Sequence, residues 1–168
     1  MGVEDHKRAA EQISEISFAV ITVSDSRSEA EDESGRLIQD RLQRAGHRLV
    51  SYRLLQNDLG AIQQEVMRLI EAQVGCIVTT GGTGLGRRDL TIEAVTPLLD
   101  KHLEGFGEIF RFLSFQEVGS AALMSRATAG TSRGTLIFCL PGSAKAVKLA
   151  LERLILPELK HLIREAHR

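Results

Sequence analysis

The chain has 168 residues, 43% of them apolar and 26% charged, with a formal net charge of -1. That length suits one compact domain burying roughly two-thirds of its unfolded surface, and the even charge leaves no footprint for nucleic acid or an anionic membrane. No apolar run nears the ~18 residues of a membrane span, and the opening MGVEDHKRAAEQISE is too charged for a secretory leader, which points to the cytoplasm.

Residues 1–16 are polar without a strong period and read as an N-terminal extension, with helix as one form that a neighbouring subunit could order; residues 17–168 read as the domain proper. Ser17 to Ser24, SFAVITVS, is a short β-rich apolar run, as in a strand covered on both faces. A polar loop follows, and then Leu37, Ile38, Leu42 and Ala45 trace a helix face ending at Gly46. Residues 47–55 predict a second strand with Gln56-Asn57-Asp58 as its turn. Ile62, Val66, Leu69 and Ile70 mark the next helix, and residues 74–80 a third buried strand. Leu90 to Leu99 reads as a helix that Pro97 cuts short. Phe106, Ile109, Phe110 and Leu113 fit a further helix. Residues 127–140 hold two β-like stretches around Ser132-Arg133-Gly134, a hairpin signal that makes one strand antiparallel. After Pro141-Gly142-Ser143 comes a long helix carrying Val147, Ala150, Leu151, Leu154 and Ile155. The Lys160 to Arg168 stretch reads as its solvated end. Strands alternating with helices predict a three-layer α/β/α sandwich whose sheet is mostly parallel.

In such a sheet, ligands collect at the carboxyl ends of the strands near the reversal of strand order. The loops at Ser24-Asp25-Ser26, Asn57-Asp58, Thr79 to Asp89 and Pro141-Gly142-Ser143 can share one rim there. TTGGTGLGRRD at 79–89 carries the main signal. Gly81, Gly82 and Gly84 allow close backbone approach and an anion nest, the threonines add hydroxyl donors, and Arg87 and Arg88 add charge. It is neither a Walker loop nor a dinucleotide fingerprint, because no Gly-Lys-Ser/Thr follows and the third glycine falls one position early. Asp89 beside a phosphate nest calls for a cation between them, which Mg²⁺ supplies; the competing role is capping the helix at Leu90. Asp58 is a second metal ligand or a helix cap, and Asp25 is foremost a loop-bracing acceptor. Ser34-Gly35 starts a helix. Pro141-Gly142-Ser143 offers a further nest at a helix N-terminus, worth only ~0.3–1 kcal/mol from the dipole. The histidines at 6, 47, 102, 161 and 167 are scattered and form no zinc pattern. Cys76 and Cys139, each in an apolar run, read as buried free thiols. Phe106, Phe110, Phe112 and Phe115 read as core or subunit interface.

TVSD at 22–25, SGRLI at 34–38, TTGGTG at 79–84 with RRD at 87–89, and PGS at 141–143 together resemble the MoaB/MogA family, which includes the G domain of gephyrin. Residues 104–126 followed by ATAG resemble its MoaB branch, and the likeness spans about 17 to 160. The resemblance implies a molybdopterin-binding fold, usually trimeric and in MoaB-type proteins often hexameric. It implies that molybdopterin's terminal phosphate attacks the α-phosphate of ATP with Mg²⁺ present, releasing pyrophosphate. Asp89 matches the family's essential aspartate, and Gly81, Gly82, Thr83 and Gly84 its ligand-cradling loop, beside Arg87 and Arg88. Ser125-Arg126 matches a pair near the pterin phosphate. Pro141, Gly142 and Ser143 match a nucleotide-side loop, which Ser24 and Asp25 join. Where MogA-like enzymes carry an aspartate in a Pro-Asp turn, this chain has Gln56-Asn57-Asp58. Asp58, displaced by one residue, is set beside Asp89 as catalytic and metal-binding, and the departure bears on catalysis more than on binding.

Three functions fit these residues: molybdopterin adenylyltransferase, a non-catalytic molybdopterin carrier, and an unrelated nucleotide-binding α/β domain. Phosphoryl transfer by positioning suits a chain with no Ser-His or Cys-His nucleophile pattern. Expected partners are molybdopterin, ATP, further copies of the chain and other molybdenum cofactor biosynthesis proteins.

Overall fold

The computed structural model describes residues 2–168, without the side chains of Val3, His6 and Lys7. Met1 of the N-terminal extension and the side chain of His6 therefore lie outside the described residues.

Alternation along β1 (Ser17–Val23) sends Phe18 and Val20 to one face and Ala19, Ile21 and Val23 to the other, all of them buried. Such a strand is stable only with helices on both sides. Six strands provide the middle layer: β1, β2 (Arg48–Leu55), β3 (Cys76–Thr80), β4 (Lys101–His102), β5 (Thr128–Ser132) and β6 (Thr135–Leu140). Their order is β2-β1-β3-β6-β5-β4. β2, β1, β3 and β6 pair in parallel, while β5 runs antiparallel to both its neighbours. One reversed strand agrees with the sequence expectation. β4 has no counterpart there, because two exposed residues carry no periodicity.

Helices α2 (Glu33–Arg44), α5 (Glu104–Val118), α6 (Ala144–Ala150) and α7 (Leu156–Ala166) cover one face, meeting Phe18, Val20, Val78 and Phe138. α3 (Leu59–Glu71) and α4 (Thr91–Val95) cover the other, around Ile21, Ile77 and Ile137. Pro97 ends α4 as expected, leaving a 3₁₀ turn over Thr96–Leu98. The long C-terminal helix is interrupted by a π turn over Leu151–Ile155, two residues ahead of Pro157. Proline lacks the N–H and crowds the preceding turn, and the widened turn accommodates it. Leu159 and Ile163 are buried, so the terminal stretch is an amphipathic helix that contributes to the core, not only a solvated end. The polar N-terminus forms α1 (Val3–Ala10), which packs on α7 of its own chain, with Ala10 buried.

The hairpin at Ser132-Arg133-Gly134 has φ of 48° at Arg133 and 84° at Gly134, both left-handed, as a tight two-residue turn between twisted strands requires. Cys76 and Cys139 are free and fully buried, and burial pushes both thiols up to about 12. Among the described residues no helix is long and apolar enough to cross a membrane.

The phenylalanine-rich segment divides. Phe106 and Phe110 are core residues, and Phe106 meets Phe138 edge-on at 5.1 Å. Phe112 and Phe115 stay 61% and 58% exposed. Phe138→Ala should therefore cost about 3–5 kcal/mol in urea unfolding. Phe112→Ala should change the isolated chain by less than about 0.5 kcal/mol. Equal losses at the two positions would contradict this division.

Candidate functional site at the carboxyl rim of the sheet

Strand order reverses between β1 and β3, so the carboxyl ends of these neighbours open the crevice in which α/β sheets bind ligands. All four loops marked in the sequence meet here. Ser24 N–H donates to the Leu55 carbonyl (2.8 Å), tying the ends of β1 and β2. Gly81 N–H donates to Leu140 (3.0 Å), tying β3 to β6, and Thr80 Oγ1 donates to the Pro141 carbonyl (2.8 Å). Thr79 and Thr80 are wholly buried, so the hydroxyls of this pair do not serve an external ligand as the sequence had suggested.

The glycines divide into two kinds. Gly81 and Gly82 have φ of +91° and +66°, and a Cβ on Gly81 would strike the Val23 carbonyl. Only glycine fits there. At Gly84 and Gly86 the obstacle is a side chain instead of backbone: a Cβ would lie 2.6 Å from Asp89 Oδ2 at the first and 2.8 Å at the second, so the carboxylate would have to move. Asp89 thus sits inside its own loop, where Oδ2 accepts the Gly86 N–H (2.9 Å) while its own N–H donates back to Gly86 (3.0 Å). The competing capping role is not seen, since the residue before α4 is Leu90 and no side chain caps that helix. Thr91 closes the loop instead, through N–H to the Gly82 carbonyl (3.0 Å) and hydroxyl to the Gly81 carbonyl (2.8 Å). Among the described residues, the N–H groups of Gly82, Thr83, Gly84 and Leu85 meet no acceptor. A run of unsatisfied N–H groups is what an anion nest consists of.

The charged residues around this loop are largely committed. Arg88 Nε pairs with Asp25 Oδ2 (3.1 Å), and Asp25 Oδ1 accepts the Asn57 N–H (2.9 Å). Asp25 therefore braces three loops, the role favoured for it from sequence. Arg87 is exposed. Arg126 reaches under the loop: Nε donates to the Thr83 carbonyl (3.1 Å) and Nη2 to the Asp89 carbonyl (3.4 Å). Its remaining contacts are with Glu93, at 2.5 and 3.3 Å. Ser125 Oγ beside it is buried without a partner.

Asp58 does not reach the glycine loop in this arrangement. It is the N-cap of α3, where Oδ1 accepts the Ala61 N–H at 2.7 Å. Asn57 faces the loop in its place, its Oδ1 buried, unpartnered and 2.5 Å from where a Cβ of Gly82 would stand. A neutral carboxamide thus holds the position for which a carboxylate was expected. Among the described residues no group of three His, Cys, Asp or Glu side chains could hold a metal. Mg²⁺ that binds with nucleotide phosphates needs only one or two protein carboxylates, and Asp89 is the carboxylate that lies within the glycine loop.

Across the rim, Ser143 caps α6 by accepting the Ala146 N–H (3.2 Å), and the Gly142 carbonyl accepts from Ser34 Oγ (2.8 Å) and Arg27 (3.2 Å). A Cβ on Gly142 would meet the Gly81 Cα at 3.3 Å, so these two loops touch. Sequence reasoning missed what supports them. Asp32, 1% exposed, accepts from Thr22 Oγ1 (2.6 Å), Tyr52 Oη (2.6 Å) and the Gly35 N–H (2.9 Å). Burial first, then the bond to Asp32, pushes the Tyr52 phenol above its usual range. The Asp-x-x-Gly spacing at the head of α2 was the available signal, since a Cβ on Gly35 would collide with the Asp32 carboxylate. A depression of about 370 Å³ lined by Asp100, His102, Leu162 and Glu165 lies beside the β5–β6 hairpin, at the opposite edge of the sheet. It gathers none of these groups.

Residues 19–161 match the family model described as a probable molybdopterin binding domain. The chain is 48% identical over 167 residues to molybdenum cofactor biosynthesis protein B of Bacillus subtilis, covering 98% of this chain and 97% of that protein. A crystal structure of molybdenum cofactor biosynthesis protein B superposes with a TM-score of 0.88 at 46% identity, over 92% of this chain and 97% of the other. The tungsten cofactor synthesizing protein MoaB from Pyrococcus furiosus gives 0.84 at 42% identity, over 91% and 98%.

Gly84→Ala should displace the Asp89 carboxylate from the Gly86 N–H while preserving the circular dichroism spectrum. Ligand affinity measured by calorimetry should fall about tenfold, the equivalent of about 1.4 kcal/mol. Unchanged affinity would reduce the loop to a plain turn.

Proposed function

The chain belongs to the MoaB/MogA family of molybdenum cofactor biosynthesis proteins, and we propose that it binds molybdopterin and ATP at the glycine rim and adenylylates molybdopterin, releasing pyrophosphate. The observation that carries this reading is the run of N–H groups without an acceptor at Gly82 to Leu85, in the same loop whose Gly86 N–H holds the Asp89 carboxylate. A nest of donors suits the phosphate of one substrate. A carboxylate within it suits a site that also handles a cation-bound polyphosphate.

In this reading the loop from Gly81 to Gly84, with Arg87, Ser125 and Arg126, holds the molybdopterin phosphate. Pro141 to Ser143, with Ser24 and Asp25 across the crevice, borders the nucleotide. An oxygen of the molybdopterin phosphate attacks the α-phosphorus of ATP, and the bond to the bridging oxygen breaks as pyrophosphate leaves. The protein supplies no nucleophile; it orients two anions and balances their charge. Asp89 is the side chain that would hold Mg²⁺ bound with the nucleotide, which would supply positive charge to the phosphate oxygens. The chain works in the reducing cytoplasm and passes its product to another cofactor biosynthesis protein.

A second reading, a carrier that binds molybdopterin without turnover, draws on the neutral Asn57 at the loop and the engagement of Asp58 as a helix cap. Asp89→Asn separates the two. Asparagine keeps an oxygen for the Gly86 N–H but loses the charge, so the melting temperature should hold. Formation of adenylylated molybdopterin should fall roughly 10²–10³-fold, as when other electrostatic groups are removed from active sites. Equal rates in variant and wild type would sink the assignment of Asp89, and a wild type inert with Mg²⁺, ATP and molybdopterin would favour the carrier.

The chain also works as a homo-oligomer, a trimer or hexamer. Ile109, Phe112, Phe115, Val118, Leu123 and Met124 together expose a large apolar surface on α5 and the following turn. Exposed apolar surface of that kind marks an interaction site. Light scattering should give a trimer or hexamer mass at micromolar concentration, and Phe112→Glu with Phe115→Glu should lower it; a wild-type monomer would refute this.

A further inference from the structure

Glu93, on α4, was not marked by any sequence motif, yet it makes the closest contact with Arg126. Both its oxygens face the guanidinium, which is held at the same time against the carbonyls of Thr83 and Asp89. Arg126 therefore pins the loop at Thr83 and at Asp89, and its charge is already matched by a carboxylate. That pair lies at the surface, with the side chains 28% and 42% exposed, so ions from solvent can reach it.

A phosphate settling on the nest would bring more charge and more acceptor oxygens than a carboxylate offers. Arginine binds either through paired N–H groups. We infer that Glu93 is a positioning residue acting through Arg126: it holds the guanidinium against the loop and is the counter-ion that a ligand phosphate displaces on entry. The inference rests on the reading that an anionic ligand occupies this loop, and it adds a cost that selects phosphate over singly charged anions. The Arg126 hydrogen bond holds the Glu93 carboxyl below the usual range, as expected of a carboxylate that stays ionised and competes at neutral pH.

The test is calorimetric titration of inorganic pyrophosphate into wild type, Glu93→Gln, Arg126→Gln and the double variant at neutral pH. Removing the competing charge should tighten pyrophosphate binding roughly fivefold in Glu93→Gln, the scale of a partly exposed ion pair. The gain should vanish when Arg126 is also replaced. Glu93→Ala must show the same sign, which guards against an effect particular to glutamine. A purely structural Glu93 would instead weaken binding when replaced, and that result overturns the inference. A gain that survives in the double variant also overturns it, since bulk charge would then be the cause. If wild type binds but Glu93→Gln binds no tighter, this inference alone fails. If neither wild type nor any variant binds pyrophosphate, the anion-site reading fails and takes the inference with it.

Discussion

Gly81 lies so close to the carbonyl of Val23 that no side chain fits between them, and the geometry of the whole rim follows from that approach. β1 and β3 are neighbours at the reversal of strand order, so the chain leaving β3 must pass directly over the end of β1. With Gly81 in a left-handed conformation the chain turns there, and its N–H reaches the end of β6 at Leu140. Gly142 then packs on Gly81, which brings the Pro141-Gly142-Ser143 loop to the same crevice. A Cβ at position 81 would push apart three strand ends at once. The rest of the glycine loop is held from outside, by Thr91 above and Arg126 below.

Four aspartates near this rim do four different things, and the donors around each decide which. Asp32 is buried because two hydroxyls and a backbone N–H satisfy it, which offsets the cost of removing a carboxylate from water. Asp25 bridges a backbone N–H and an arginine and so works as a brace. Asp58 answers the unsatisfied N–H groups at the start of α3. Asp89 accepts the Gly86 N–H, next in the chain to the N–H groups of Gly82 to Leu85 that have no acceptor among the described residues. Of the four, it alone has its carboxylate within the glycine loop.

The exposed apolar face of α5 adjoins the rim. The turn carrying Leu123 and Met124 runs directly into Ser125 and Arg126, so whatever covers that face lies next to residues under the glycine loop. The exposed apolar face and the glycine loop thus share a structural boundary. His47 belongs to another part of the fold: its Nδ1 accepts the Ile16 N–H at 3.3 Å, and burial lowers its pKa. It joins the N-terminal segment to the domain and takes no part at the rim.

The sequence by itself determined the class of fold, the alternation of buried strands with amphipathic helices, the hairpin at Arg133-Gly134 and the family. Each of these rests on local period or on a short run of residues, such as SFAVITVS or TTGGTG, that has one physical reading. It also marked the four loops, because glycine and polar clusters after apolar strands stand out along the chain. It did not reveal which of Asn57 and Asp58 faces the glycines: both follow the same strand, and only the start of α3 shows that Asp58 is taken as its cap. Nor could it show Asp32 beneath Tyr52, or Glu93 locked to Arg126, pairs separated by 20 and 33 residues. Such contacts arise when the sheet brings distant loops to one edge. Their energies depend on burial and on hydrogen-bond partners that exist only in the folded chain.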